Sequence, residues 1–349
     1  MSKDFSRIRR THFGHVEQKQ LYVTYDGYCQ CNCACCRNKS FSEESMMGKR
    51  YILDEVLREN YNQFRHIIFG GGEPLYKIDK IWDLIVDLDN RNILFAKSDD
   101  DVTKYSIVTN GAREIFLDRF DSCMICRRFE TVILSRYHYD DEINLRIFNP
   151  RRGEELLTTE DLQESVCEEL RHNKMQLSCL CQKGGINTVE DVIQYLMWAA
   201  QVEIPNVMFS NFQDDVTPLG AKQNLSCDPE LLEKVKEELR KRGFSEEEPI
   251  IFDAGFRVTK FTGIIEYEVE VEGTIFPPEL QLMLAFTGMD IPTIKAEAVA
   301  GVEMTVSIKE FIPENQLRKE WKKARRRTYN YSAMPNGDLF SDWSCGKKL

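Results

Sequence analysis

The chain's 349 residues carry 46 lysines and arginines against 57 aspartates and glutamates, a formal net charge of -11, with 42% hydrophobic and 30% charged residues. That acidic balance argues against non-specific nucleic-acid binding and against a large nucleic acid as partner. No apolar run reaches the ~18 residues of a membrane helix, and the N-terminal MSKDFSRIRRTHFG lacks the apolar stretch of a signal peptide, so no membrane is expected and the expected compartment is the cytoplasm.

Short apolar segments alternate with helical patterns. Leu21 to Tyr25, rich in β-branched and aromatic residues, predicts a strand that runs into a cysteine loop. Ser42 to Arg58 reads as a helix, and His66 to Phe69 as a second strand ending in Gly70, Gly71 and Gly72. Ile81 to Leu88 is helical. Tyr105 to Val108 gives a third strand, stopped by Thr109-Asn110-Gly111, and Ala112 to Phe120 a helix. Thr131 to Leu134 is the fourth strand, and Thr159 caps a predicted helix through Arg171 with Leu162, Val166 and Leu170 on one face. Leu177 to Leu180, a helix from Thr188 to Ala200, and Asn206 to Phe209 complete six strand-helix pairs. The pattern predicts an α/β chain with a partial (β/α)6 TIM-type barrel over residues 21-215, open on one side, preceded by an N-terminal extension at 1-20. Each polar cluster follows a strand, which is the face on which such sheets bind ligands.

Residues 216-349 predict a smaller C-terminal α/β domain that covers the substrate. Cys227 to Arg242 reads as a helix capped by Asp228 and stopped by Gly243; Ile250 to Ala254, Gly263 to Val271 and Val299 to Ile308 have β character. Glu266, Glu268, Glu270 and Glu272 alternate with Tyr267, Val269 and Val271, the period of a half-buried strand with a solvated face. Gln316 to Arg327 looks helical; its basic run from Arg318 reads as a solvated face in preference to a docking patch. Pro335-Asn336-Gly337-Asp338 signals a turn between short strands.

The chemistry is concentrated in Cys29, Cys31, Cys33, Cys35 and Cys36. Cys29, Cys33 and Cys36 have the spacing CxxxCxxC, which suits three irons of a 4Fe-4S cluster and leaves the fourth iron to a ligand that is not protein. A structural zinc would want a fourth ligand, for which Cys31, Cys35 or His66 are available, and a disulfide framework would spread its cysteines. Gly70-Gly71-Gly72-Glu73-Pro74, one strand-helix unit later, lets backbone approach a ligand closely, with Glu73 as an acceptor and Pro74 stiffening the exit.

Cys29, Cys33 and Cys36 followed by Gly71, Gly72, Glu73 and Pro74 resemble the signature of the radical S-adenosylmethionine superfamily, over roughly residues 20 to 212. The resemblance implies one 4Fe-4S cluster on the three cysteines, with S-adenosylmethionine chelating the open iron and the glycine-glycine-glutamate element holding its amino group. It also implies reductive cleavage to a 5'-deoxyadenosyl radical that abstracts hydrogen from a substrate, with flavodoxin or ferredoxin as reductant. By the same resemblance Ser135 contacts the cofactor's carboxylate or ribose, Arg136 adds a cation, and Asn110 lines the cavity. The loop Gln182 to Asn187 grips the cofactor, and Phe209 to Asn211 lie where backbone meets adenine. One departure concerns adenine: the family usually has an aromatic before the last cysteine, where this chain has Cys35, and Tyr28 is not assumed to replace it.

Seven further cysteines include the pairs Cys123 with Cys126 and Cys179 with Cys181, and the single Cys167, Cys227 and Cys345; only two lie beyond residue 212, so no auxiliary cluster is expected. The C-terminal part faintly resembles those of molybdenum-cofactor-cyclase-like and peptide-modifying members. The expected substrate is an organic small molecule, nucleotide- or sugar-like, because no segment long enough to bind a leader peptide precedes Leu21; a ribosomally made peptide is the alternative. Tyr137, Cys181 and Cys345 are candidate radical quenchers. A non-catalytic iron-sulfur redox or sensor protein would use the same cysteines but leave the glycine loop without a task.

Overall fold

A computed structural model describes residues 8-10, 16-36, 50-95, 102-121, 125-212, 224-274 and 293-340. Among the described residues there are thirteen strands, with β1 at Ile8–Arg10, β2 at Val16–Asp26, β3 at His66–Gly71, β4 at Lys104–Thr109, β5 at Thr131–Ser135, β6 at Met175–Cys181 and β7 at Asn206–Asn211. The later strands are β8 at Ser245–Glu246, β9 at Ile250–Phe252, β10 at Phe256–Thr274, β11 at Thr293–Phe311, β12 at Arg326–Ala333 and β13 at Leu339–Phe340. Strands β2 to β7 are parallel neighbours in chain order. All six predicted strands are found at their predicted places.

The barrel is not open on one side. β11 pairs parallel to β7 from Thr305↔Asn206 to Lys309↔Ser210, β10 and β9 follow antiparallel, and β12 runs parallel to both β9 and β2. Eight residue pairs, Arg326↔Val16 to Ala333↔Val23, complete the ring, which therefore contains ten strands, and the sheet continues across residue 215. The open-sided six-strand expectation fails because closure depends on pairing between the two ends of the chain, which no local pattern encodes. The Pro335 turn is found where predicted: Gly337, at φ +86°, joins β12 to β13.

Helices α1 (Arg50–Asn60), α2 (Ile78–Phe95), α3 (Asp141–Phe148), α4 (Glu168–Asn173), α5 (Val189–Gln201) and α6 (Leu231–Lys241) accompany the ring, and α7 (Glu314–Lys323) precedes β12. The main apolar core joins strand residues such as Leu21, Ile67, Ile107 and Leu177 to helix residues such as Leu53, Ile85, Leu196 and Val235. Thr188 caps α5 through a reciprocal capping box with Asp191. The helix predicted from Thr159 to Arg171 is instead broken. A wide turn at Asp161–Ser165 ends at Val166 in extended geometry, and Arg171 reaches back to the carbonyls of Leu162, Gln163 and Val166 at 2.8, 2.9 and 2.7 Å. Among the described residues no helix is long and apolar enough to cross a membrane.

The opposite strand face is polar. Gln18 donates to Thr328 Oγ1 at 3.1 Å, Gln20 donates to Asn330 at 2.5 Å, and His66 shares a 2.8 Å hydrogen bond with Ser106. Burial pushes the His66 imidazole down to about 4, so it is neutral at pH 7. A parallel barrel more often fills this face with branched aliphatic side chains.

Candidate functional site

The cysteine loop leaves β2 at its C-terminal end and is fastened on two sides. Gly72 N–H donates to Asp26 O at 2.9 Å and Glu73 N–H to Tyr28 O at 2.6 Å, tying the glycine run to the loop's entrance. This approach is what requires glycine: a Cβ on Gly72 would lie 1.8 Å from Tyr28 O, and Gly71 has φ +106°. On the other side Asn32 N–H donates to the Phe148 and Asn149 carbonyls at 3.1 and 3.0 Å, and Arg151 N–H to Gln30 O at 2.9 Å.

Cys29, Cys33, Cys35 and Cys36 line one cavity at the C-terminal ends of the parallel strands. Cys31 is not among the lining residues and packs behind them against Phe148 and Leu156. The Cys29 thiol is held below its ordinary range because it accepts hydrogen bonds from Cys31, including the Cys31 N–H at 3.3 Å. The same contact, with burial, pushes Cys31 far up, and Cys35 pushes Cys33 up. Four soft donors at a cavity end, three of them in the spacing CxxxCxxC, beside a backbone cradle that a Cβ would fill, fit a 4Fe-4S cluster. Among the described residues no three His, Cys, Asp or Glu side chains converge as a single ion requires, and His66 lies at the far end of β3 from the loop.

Of the sequence-derived cofactor contacts, Gly71, Gly72, Asn110 and Ser135 line the same cavity. Glu73 is 1% exposed and faces inward beneath it, its carboxylate accepting from Leu75 N, Thr109 Oγ1 and Asn110 N at 3.1, 2.7 and 2.7 Å. Burial pushes that carboxyl up to about 7 against the pull of these donors. Pro74 opens a buried 3-10 turn capped by Glu73.

The side chains of Arg136, Gln182, Asn187 and Phe209 do not line the cavity. Arg136 follows Ser135 and points the other way, into an ion pair with Asp141, onto Leu157 O at 2.9 Å and over the Trp198 ring at 4.6 Å. Gln182 is buried and closes a turn with Gly185 and Ile186, while Asn187 donates to Gly185 O at 3.3 Å at the start of α5. Phe209 lies in the outer core against Tyr195. Its neighbours Ser210 and Asn211 reach the cavity instead.

Tyr22, Lys309 and Phe311 are cavity residues that sequence reasoning missed. The last two come from β11, where Val306 and Ile308 are fully buried in the outer core and the alternate positions 307, 309 and 311 turn to the opposite face; that alternation was the available signal. Tyr137 also lines the cavity, stacked on Phe148 at 4.6 Å. Cys179 and Cys181 are buried in the outer core, and Cys227 lies 3.4 Å from Asn211 Oδ1. Cys123, Cys345 and the Cys126 side chain fall outside the described residues.

No family model matches the sequence, and no curated protein matches it. Among solved structures, Streptococcus suis SuiB bound to precursor peptide SuiA is 12% identical, with a TM-score of 0.52 over 93% of this chain and 59% of that one. SuiB bound to S-adenosylmethionine is 13% identical, with a TM-score of 0.50 over 93% and 60%. Native anSMEcpe with bound AdoMet, at 18% identity, has a TM-score of 0.47 over 64% and 61%. The chain spans about three fifths of the length of these proteins, and the likeness to SuiB is one of fold: an α/β barrel.

Proposed function

We propose that this chain is a radical S-adenosylmethionine enzyme. The observation that carries the reading is the meeting, at one cavity, of Cys29, Cys33 and Cys36, with Cys35 beside them, and Gly71, Gly72, Asn110 and Ser135. In this reading the three thiolates hold one 4Fe-4S cluster and leave its fourth iron for S-adenosylmethionine. When bound, the pair supplies one-electron cleavage of a sulfonium bond and removal of a hydrogen atom from substrate. Gly71 to Pro74 shape the amino-acid end, and Asn110 and Ser135 offer polar contacts. Gln182, Asn187 and Phe209 contribute through their backbone, and Arg136 holds the turn behind Ser135. Tyr137, Phe148 and Phe212 form apolar walls of the cavity.

Lys309 is the one charged side chain, cysteines aside, among the described residues lining the cavity, and it sits 4.1 Å over the Phe256 ring. A small nucleotide- or sugar-like metabolite is the first reading of the substrate, supported by the polar lining of Asn110, Ser135, Ser210 and Asn211. A peptide substrate is the second reading, supported by SuiB in complex with its precursor peptide, a structure alignable over 93% of this chain. Flavodoxin or ferredoxin in the cytoplasm is the proposed electron donor.

Oxygen-free purification and reconstitution test the reading. The expected protein is brown, holds about four irons per chain, and yields 5'-deoxyadenosine from S-adenosylmethionine on reduction. Bound cluster without 5'-deoxyadenosine would instead support a redox or sensor protein, and colourless metal binding a zinc protein.

A further inference from the structure

The carboxamide of Asn110, at the end of β4, lies against the cysteine loop. Its Nδ2 is 3.4 Å from Cys29 Sγ and 3.6 Å from Cys31 Sγ. The orientation is fixed by a reciprocal pair with the Gln30 carboxamide: Gln30 Nε2 donates to Asn110 Oδ1 at 2.8 Å, and Asn110 Nδ2 donates to Gln30 Oε1 at 3.3 Å. Gln30 is fully buried, so this pair is shielded from competition by water. The Asn110 backbone is held in turn by the Glu73 carboxylate, and Gly111, at φ +74°, makes the turn that follows.

An iron-bound thiolate gains negative charge when its cluster takes up an electron. A hydrogen bond to that sulfur therefore favours the reduced state over the oxidised one and raises the potential. Among the donors to Cys29 Sγ are the Cys31 N–H and the Asn110 amide. The first belongs to the loop itself and goes wherever the loop goes. The second comes from a different strand and can be removed by a side-chain change.

Resting on the functional reading above, we infer that Asn110 is a positioning residue that sets the reduction potential of the cluster through Cys29, with Gln30 orienting its amide and Glu73 its backbone. No charge or titration is involved; the effect comes from a neutral dipole aimed at one ligand.

The test is a potentiometric titration, followed by electron paramagnetic resonance, of the reconstituted full-length chain and its Asn110→Leu variant at matched iron content. The expected result is a more negative midpoint in Asn110→Leu, by about 59 mV for a tenfold change in a one-electron equilibrium. Asn110→Gln, which keeps an amide donor, moves the midpoint back towards the wild type. An Asn110→Leu protein with full iron and an unchanged midpoint overturns this inference alone. A wild-type chain that takes up no 4Fe-4S cluster overturns the functional reading and this inference together. Should Asn110→Leu take up no cluster, Gln30→Leu is titrated instead; a negative shift supports the inference and an unchanged midpoint overturns it.

Discussion

The Glu73 carboxylate takes the backbone N–H of Asn110 at 2.7 Å and so joins the end of β3 to the end of β4 beneath the cysteine loop. It also takes the Thr109 hydroxyl, which itself accepts the Gly111 N–H at 2.9 Å, so one buried acid organises the whole β4 turn. Sequence reasoning assigned Glu73 to a cofactor; in the structure its carboxylate accepts from Leu75 N, Thr109 Oγ1 and Asn110 N beside the cavity.

Burial of that acid has a pH signature. Its folded value is raised to about 7 from 4.5, so between these the folded chain keeps a proton that the unfolded chain has lost. The associated stability is fully present below pH 4.5 and is lost as pH rises through 7, by on the order of 3 kcal/mol. Urea denaturation of the wild type and Glu73→Gln between pH 4.5 and 8 checks this. The wild type is expected to weaken relative to the variant across the interval, and parallel pH profiles would show that Glu73 does not titrate there.

The cavity lining sets Cys31 apart from the other four clustered cysteines, and the spacing sets Cys35 apart from the remaining three. Cys29, Cys33 and Cys36 to alanine are each expected to lose most of the bound iron, whereas Cys31→Ala, which removes a thiol packed on Phe148 and Leu156, retains it. Cys35 also lines the cavity, and Cys35→Ala is expected to keep the cluster because its thiol falls outside the three-ligand spacing. Iron and sulfide assays after anaerobic reconstitution decide. Loss of the cluster in Cys31→Ala with retention in Cys33→Ala would reverse the ligand assignment.

Gly72 and Gly153 offer a matched pair of substitutions. An added methyl at Gly72 meets the Tyr28 carbonyl, which the hydrogen bond from Glu73 N–H holds in place, so the backbone itself must shift. Gly72→Ala is expected to cost about 3 kcal/mol or more. At Gly153 the methyl meets nothing within 4 Å, and only the φ of +85° opposes it, at a cost of about 1 kcal/mol. Thermal denaturation of the two variants measures the difference; equal losses would mean that the loop and the glycine run do not touch as described.

What the sequence disclosed was local. The six parallel strands were legible because each is a short apolar run between helical periods, and the proposed cluster ligands stand out because a three-cysteine spacing is written in eight residues. Closure of the ring was not legible, since Gln18 meets Thr328 across 310 positions and either segment alone reads as an ordinary strand. Side-chain direction was legible and was overlooked. Ser135 and Arg136, like Phe209 and Ser210, are adjacent residues at strand ends of which only Ser135 and Ser210 line the cavity, as the alternation of a strand leads one to expect. The broken helix before Arg171 had no signal, because Leu162, Val166 and Leu170 keep the helical period even though a guanidinium draws three carbonyls out of the helix.

Arg136 tests whether a cation beside the cavity touches the cofactor or supports the wall. Its side chain is almost fully buried, pairs with Asp141, donates to Thr159 Oγ1 at 3.2 Å and to the Leu157 carbonyl, and lies over Trp198. Removing one member of such a pair leaves the others desolvated and unmatched, which costs about 3-5 kcal/mol. Lysine cannot rescue, because a single ammonium does not span the carbonyl, hydroxyl and carboxylate that the planar guanidinium reaches. Arg136→Met and Arg136→Lys are therefore both expected to lower the denaturation midpoint strongly. The protein that remains folded should bind S-adenosylmethionine, measured by equilibrium dialysis, within about threefold of the wild type, a difference of under 1 kcal/mol. An unchanged midpoint with a tenfold loss of affinity would move Arg136 from the wall into the cofactor site.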